Sequence, residues 1–102
     1  MKQSVFIQVV DFQHRGWCSI THDDKEYIIN TLYVRNPNRK RGIGTELLHS
    51  VEEIISKLGG KYSYLYFREA DKWKHDWYKR LGYTDTKAKC CKGFAKMKKK
   101  IK

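Results

Sequence analysis

Proline is nearly absent from this chain, one in 102 residues, and no apolar run approaches the roughly 20 residues that cross a bilayer. No membrane-spanning helix is therefore expected. The apolar stretch from Val5 to Val10 is too short for a secretory signal and is not followed by a small-residue cleavage site. Cysteine is scarce and badly placed for bridging: Cys18, Cys90 and Cys91 are odd in number, two are adjacent, and no Cys-x-x-Cys exists. These absences argue against a secreted disulfide scaffold and for a soluble, cytoplasmic protein with reduced thiols. His14, His22, His49 and His75 show no zinc-ligand spacing with the cysteines, so no metal is expected. Repeats and low-complexity tracts are missing as well. With 40% hydrophobic and 14% aromatic residues the chain can fill one modest core, and residues 1–102 are expected to form a single domain.

Carboxylates are also missing from the last sixteen residues, which hold eight lysines. A second basic cluster is Arg39-Lys40-Arg41, and the two together account for the whole net charge of +11. The lysine-rich end has two readings: a patch for nucleic acid or another anionic surface, or the solvated face of a strand. Strict alternation favours a strand from Phe94 to Ile101, with Ala95, Met97 and Ile101 on one side and Lys96, Lys98 and Lys100 on the other.

Three strand-like segments open the chain, Val5 to Phe12, Trp17 to Thr21 and Tyr27 to Val34. The polar links between them are short enough for hairpins, which predicts an antiparallel meander. After the break at Asn36-Pro37-Asn38, apolar residues fall at 43, 47, 48, 51, 54, 55 and 58. That stripe predicts a helix from Ile43 to Leu58, stopped by Gly59-Gly60. Lys61 to Phe67 reads as a strand whose Tyr62, Tyr64 and Tyr66 share one face, either as base-stacking platform or, more commonly, as packing against a helix. Trp73, Trp77 and Leu81 recur every four residues and predict a helix over Asp71 to Leu81, with Asp71 as N-cap and Gly82 as stop. Tyr83 to Lys89 is expected to be a further strand. The predicted order is β-β-β-α-β-α-β-β, an α+β fold.

The segment Arg39-Lys40-Arg41-Gly42-Ile43-Gly44-Thr45 lies where a strand stops and a helix begins. The first N–H groups of a helix have no partner within it and carry the positive end of the peptide dipoles, so a diphosphate set against residues 41 to 45 meets several donors. Gly42 and Gly44 allow a sharp turn and close approach to the backbone. Neither the spacing of a dinucleotide-binding GxGxxG loop nor a Walker Gly-Lys-Ser/Thr ending is present.

From about Tyr27 to Ile101 the chain resembles the core of the GNAT superfamily of acetyl-CoA-dependent N-acetyltransferases. Two motifs carry the resemblance: Leu32-Tyr33-Val34 followed by Arg39-Lys40-Arg41-Gly42-Ile43-Gly44, which fits the family's (Arg/Gln)xxGx(Gly/Ala) loop, and Trp77-Tyr78-Lys79-Arg80-Leu81-Gly82-Tyr83, which fits aromatic-Tyr-x-x-Leu-Gly-aromatic. The resemblance implies a mixed, mostly antiparallel sheet with a splayed central strand pair. It implies acetyl-CoA as co-substrate, with its diphosphate on the amides of Arg41 to Thr45 and Arg39 and Lys40 contributing to the loop and its field. It further implies that the pantetheine arm lies along Leu32, Tyr33 and Val34, and that Tyr78 is the general acid toward the departing thiolate. Asp71 stands where the family commonly has an Asn contacting the same arm.

No carboxylate occupies Ile28 to Thr31, where some members keep a base; Glu26, Glu69 and His22 are the alternatives. The helices that usually precede this core and wall the acceptor site are not expected here. An open site then implies either a large amine-bearing acceptor, such as a protein lysine or N-terminus, or a wall from a second subunit of a homodimer. The competing readings are a basic nucleic-acid-binding module and a CoA-binding regulator without catalysis.

Overall fold

The computed structural model describes residues 4–10, 13, 15–23, 26–35, 42–87 and 92–101. Strands β1 (Ser4–Val10), β2 (Gly16–Asp23) and β3 (Glu26–Val34) form the expected antiparallel meander. They are followed by helix α1 (Ile43–Lys57), strand β4 (Tyr62–Arg68), helix α2 (Lys72–Arg80) and strands β5 (Thr84–Asp85) and β6 (Phe94–Lys100). One six-stranded sheet results, in the order β1-β2-β3-β4-β6-β5. Its single parallel joint is β3–β4, and α1 supplies the crossover that a parallel pair requires.

Helix α1 starts on Gly42 and ends where Gly59 takes a left-handed conformation (φ 95°), with the Gly60 amide bonded to the Ile55 carbonyl at 2.9 Å. Its apolar stripe lies on the sheet. Leu48, Val51 and Ile55 pack with Ile20, Ile29, Leu65 and Met97, all buried. Each such side chain contributes about 1.5–3 kcal/mol relative to exposure.

Alternation along β4 sends Ser63, Leu65 and Phe67 toward the helices and leaves Tyr62, Tyr64 and Tyr66 half-buried on the opposite face. Helix packing is thus not what the tyrosine stripe serves. Register with β6 sets it beside lysines instead: the Lys96 ammonium lies 4.7 Å from the Tyr64 ring centre and that of Lys98 lies 5.4 Å from Tyr62. The alternation expected in the last strand holds, with Met97 buried and Lys98 and Lys100 exposed.

The expected strand from Tyr83 onward is shorter than its sequence pattern suggests. Tyr83 is drawn into the core, pairing starts at Thr84, and residues 88–91 lie outside the described set. Among the described residues no helix is long and apolar enough to cross a membrane.

Candidate active site

Strand β3 runs on to Val34 and β4 to Arg68, yet they pair only at Tyr27–Ser63, Ile28–Tyr64 and Ile29–Leu65. Past that point β3 stays with β2, ending at Val34–Gly16, while β4 stays with β6, ending at Arg68–Phe94. A fork opens between them. Its origin is one residue: Ile29 faces Ile20 and Thr31 faces Ser19, so Asn30 has no register partner in β2. Such a bulge bends its strand and raises the local twist, which turns β3 away from β4. The Asn30 amide nitrogen donates to the Thr21 hydroxyl and holds the bulge to β2.

Gly42, the N-cap of α1, has φ 80° and ψ 1°, with no side-chain cap, and a Cβ built there would meet nothing within 4 Å. Its carbonyl accepts the first intrahelical bond, from the Glu46 amide at 3.0 Å. The amides of Ile43, Gly44 and Thr45 therefore precede the intrahelical ladder and are directed out of the helix start. Gly44 has a different role. A Cβ there would lie 3.3 Å from the Trp77 ring and 3.5 Å from Val34, so its bare Cα lets the end of β3, the start of α1 and the side of α2 converge.

Of the residues predicted for the cofactor, Leu32, Tyr33 and Val34 form the open prong of β3, and Gly42, Ile43, Gly44 and Thr45 form the helix start. Ile43 is buried, which leaves its amide rather than its side chain for a ligand. Arg39, Lys40 and Arg41 lie outside the described residues. Asp71 holds the N-cap position of α2, but its carboxylate makes no cap bond and sits 3.5 Å from the Lys74 ammonium.

Tyr78 is 5% exposed, on the helix side of the sheet. Its ring lies 5.8 Å from Phe67 on the open prong of β4, 5.0 Å from Trp77 and 6.0 Å from Tyr83. Burial, reinforced by the charge of Cys18, pushes its phenol up from 10.0 to about 12. Burial likewise raises the Cys18 thiol to about 12. Cys18 pairs with Leu32 on the open prong of β3, and Tyr78 shares one core cluster with Cys18 and Phe67, against which Leu32 packs. Tyr78 keeps its proton throughout the neutral range.

The three carboxylate or imidazole alternatives for a base fall in different places. His22 is stacked on Tyr27 at 4.0 Å, toward the closed end of the fork. Glu26 is bound by Lys96 at 2.9 and 3.1 Å. Glu69 alone of the three follows the open prong of β4, and with Phe67, His75 and Asp76 it lines a groove of about 470 Å3 on the β5–β6 side of α2.

One polar cluster escapes sequence reasoning. Tyr83 donates to Glu52 at 2.9 Å, Ser63 therefore donates to Tyr83 at 2.8 Å, and the Lys99 ammonium reaches Glu52 at 3.1 Å. Burial and the Glu52 carboxylate hold the Tyr83 phenol well above its ordinary value. A signal was present: Glu52 is four residues after Leu48 and three before Ile55, inside the apolar stripe.

The family model described as acetyltransferase (GNAT) domain matches residues 2–85. The chain belongs to the GNAT family. Its overall fold agrees with solved structures at low identity. The PaiA N-acetyltransferase of Thermoplasma acidophilum, in complex with coenzyme A, superposes with a TM-score of 0.79 at 19% identity, covering 95% of this chain and 60% of that one. A putative acyl-CoA N-acyltransferase of Klebsiella pneumoniae gives 0.80 at 15% identity, covering 97% and 73%. The ribosomal-protein-S18-alanine N-acetyltransferase of Escherichia coli gives 0.76 at 15% identity, covering 94% and 69%. This GNAT chain thus spans three fifths of the PaiA structure. A search of curated proteins finds no match.

Proposed function

We propose that this chain transfers an acetyl group from acetyl-CoA to a primary amine by direct attack in a ternary complex, residues 1–102 acting as one GNAT domain. The observation that carries the reading is the register break at Asn30, which opens β3 from β4 at the point where Val34 meets the uncapped start of α1. Bound acetyl-CoA supplies an activated thioester. The amides of Gly42, Ile43, Gly44 and Thr45 hold the diphosphate against the positive end of α1, with Arg39, Lys40 and Arg41 adding charge. Leu32, Tyr33 and Val34 offer their backbone edge to the pantetheine arm in the manner of an added strand, and Asp71 contacts the same arm.

In the transfer, the amine nitrogen bonds to the carbonyl carbon and the carbon–sulfur bond breaks. The amine gives up one proton to a base, and the sulfur leaves as a thiolate that takes its proton from solvent. Tyr78 faces this exchange as a hydrogen-bond donor. A phenol held near 12 does not hand its proton outright to a thiolate whose ordinary value is about 8.5, but it stabilises negative charge on sulfur as the bond breaks. Glu69 receives the amine proton, directly or through water. Such chemistry belongs in the cytoplasm, where the co-substrate is made and thiols such as Cys18 stay reduced.

Calorimetric titration with acetyl-CoA, followed by mass spectrometry of amines and peptides incubated with both, tests the reading. Saturable binding and a gain of one acetyl mass are expected. Absence of binding by the pure, folded protein would overturn it.

A further inference from the structure

Among the described residues both helices lie on one face of the sheet, and the other face has none. That bare face borders the fork. The prongs end there in Arg35 and Arg68, which alternation places on it and which are exposed, and β6 continues it with exposed Lys98 and Lys100. Tyr64 and Tyr66 form its floor. Among the described side chains it has one carboxylate, Glu26, and this group is already taken. Lys96 reaches from β6 across β4 to Glu26 on β3 at 2.9 and 3.1 Å, and its ammonium is 4.7 Å from the Tyr64 ring centre and 5.6 Å from that of Tyr66. At 9% exposure, that lysine fills the place an incoming ammonium would need.

The consequence is a strong asymmetry. A polycation such as a polyamine meets guanidinium and ammonium groups and finds its natural counter-ion occupied. A polypeptide with carboxylates on either side of its reactive amine meets the complementary arrangement. Positive surroundings also favour the neutral form of an amine held among them, the form that attacks, in a site with few carboxylates for that purpose.

We infer that the bare face beside the fork docks the acceptor, and that the acceptor is an amine borne on a polypeptide with acidic neighbours. The inference rests on the transfer reading for its chemistry but not for its docking geometry, and the two fail separately. The experiment uses the full chain with acetyl-CoA and three acceptors: a peptide with one central lysine flanked by glutamates, the same peptide flanked by arginines, and spermidine. Acetylation rates and, by fluorescence anisotropy in the presence of CoA, peptide affinities are measured at low and high salt.

The acidic peptide is expected to bind and react about tenfold better than the basic one, with the advantage shrinking as salt screens it. The exposed pair K98E/K100E is expected to remove most of that advantage while leaving the melting temperature and acetyl-CoA affinity unchanged. Equal or better use of the basic peptide or spermidine would overturn the inference, as would an acidic preference untouched by K98E/K100E. Acidic-selective binding without any acetylation would uphold the docking surface and remove the transferase reading. A single-stranded oligonucleotide that displaces the acidic peptide at lower concentration, charge for charge, would overturn the inference in favour of a nucleic-acid surface.

Discussion

The two halves of the β3–β4 pair are built on opposite principles. Below Ile29 and Leu65 the strands are laddered, packed and stapled on both faces: Ser63, Tyr83, Glu52 and Lys99 join β4, α1 and β6 on the helix side, and Lys96 with Glu26 joins β6 to β3 on the other. Above them the ladder stops, Leu32 and Val34 are half-buried, and Tyr33 is 40% exposed. The strands that must part are held together where they need not. Rigidity at the base lets the mouth stay open without loosening the sheet, which is how a site can be preformed yet receive a long, thin ligand.

The largest effect should come from the base. Leu65→Ala empties part of the core under α1 and is expected to cost about 2–5 kcal/mol in denaturant unfolding, whereas Val34→Ala on the open prong costs under about 1 kcal/mol. Similar losses at both positions would erase the contrast. Tyr78→Phe works in the other direction, at the mouth. Turnover should fall about 100-fold, with acetyl-CoA binding and stability little changed. Unaltered turnover would strip Tyr78 of its assigned role.

Glu52→Ala leaves the Tyr83 hydroxyl and the Lys99 ammonium without their shared acceptor and should cost about 1–3 kcal/mol. Glu52→Gln, which keeps an acceptor, should cost less, and neither change should shift the acetyl-CoA affinity measured by calorimetry. A further effect appears only in alkali. The unfolded chain releases the protons of Cys18 and Tyr78 near 9.0 and 10.0, while the folded chain keeps both to about 12. Stability is therefore full below about pH 9 and drains as pH climbs toward 12, by up to about 1.4 kcal/mol per pH unit per group. Tyr78→Phe should make that decline shallower in urea titrations between pH 9 and 11; an unchanged slope would contradict the burial of the phenol.

Much of this was legible beforehand, for definable reasons. The stripe at 43, 47, 48, 51, 54, 55 and 58 gave α1 to within a residue, because a period of 3.6 has one structural cause. The meander and the alternation of the last strand were equally readable. The side on which the tyrosine stripe lies was not, since alternation shows that residues share a face without showing which face the helices choose. Tyr83 looked like the start of a strand because its phenol partners, Glu52 and Ser63, lie 31 and 20 residues away. The helix start and Tyr78 were visible as motifs through family likeness. The fork itself came only by that likeness, since nothing in Ile29-Asn30-Thr31 announces that its middle member will be skipped by the neighbouring strand.

That skipped member has an arithmetic consequence. Side chains in a strand swing from one side to the other with each step, so one supernumerary residue resets the count for everything after it. Leu32 and Val34 look toward the helices, and Thr31 and Tyr33 look away, because Asn30 is not counted. Deleting Asn30 would leave each of these side chains on its present side but remove the bend that parts β3 from β4, so shortening the strand by one residue should draw the two prongs together.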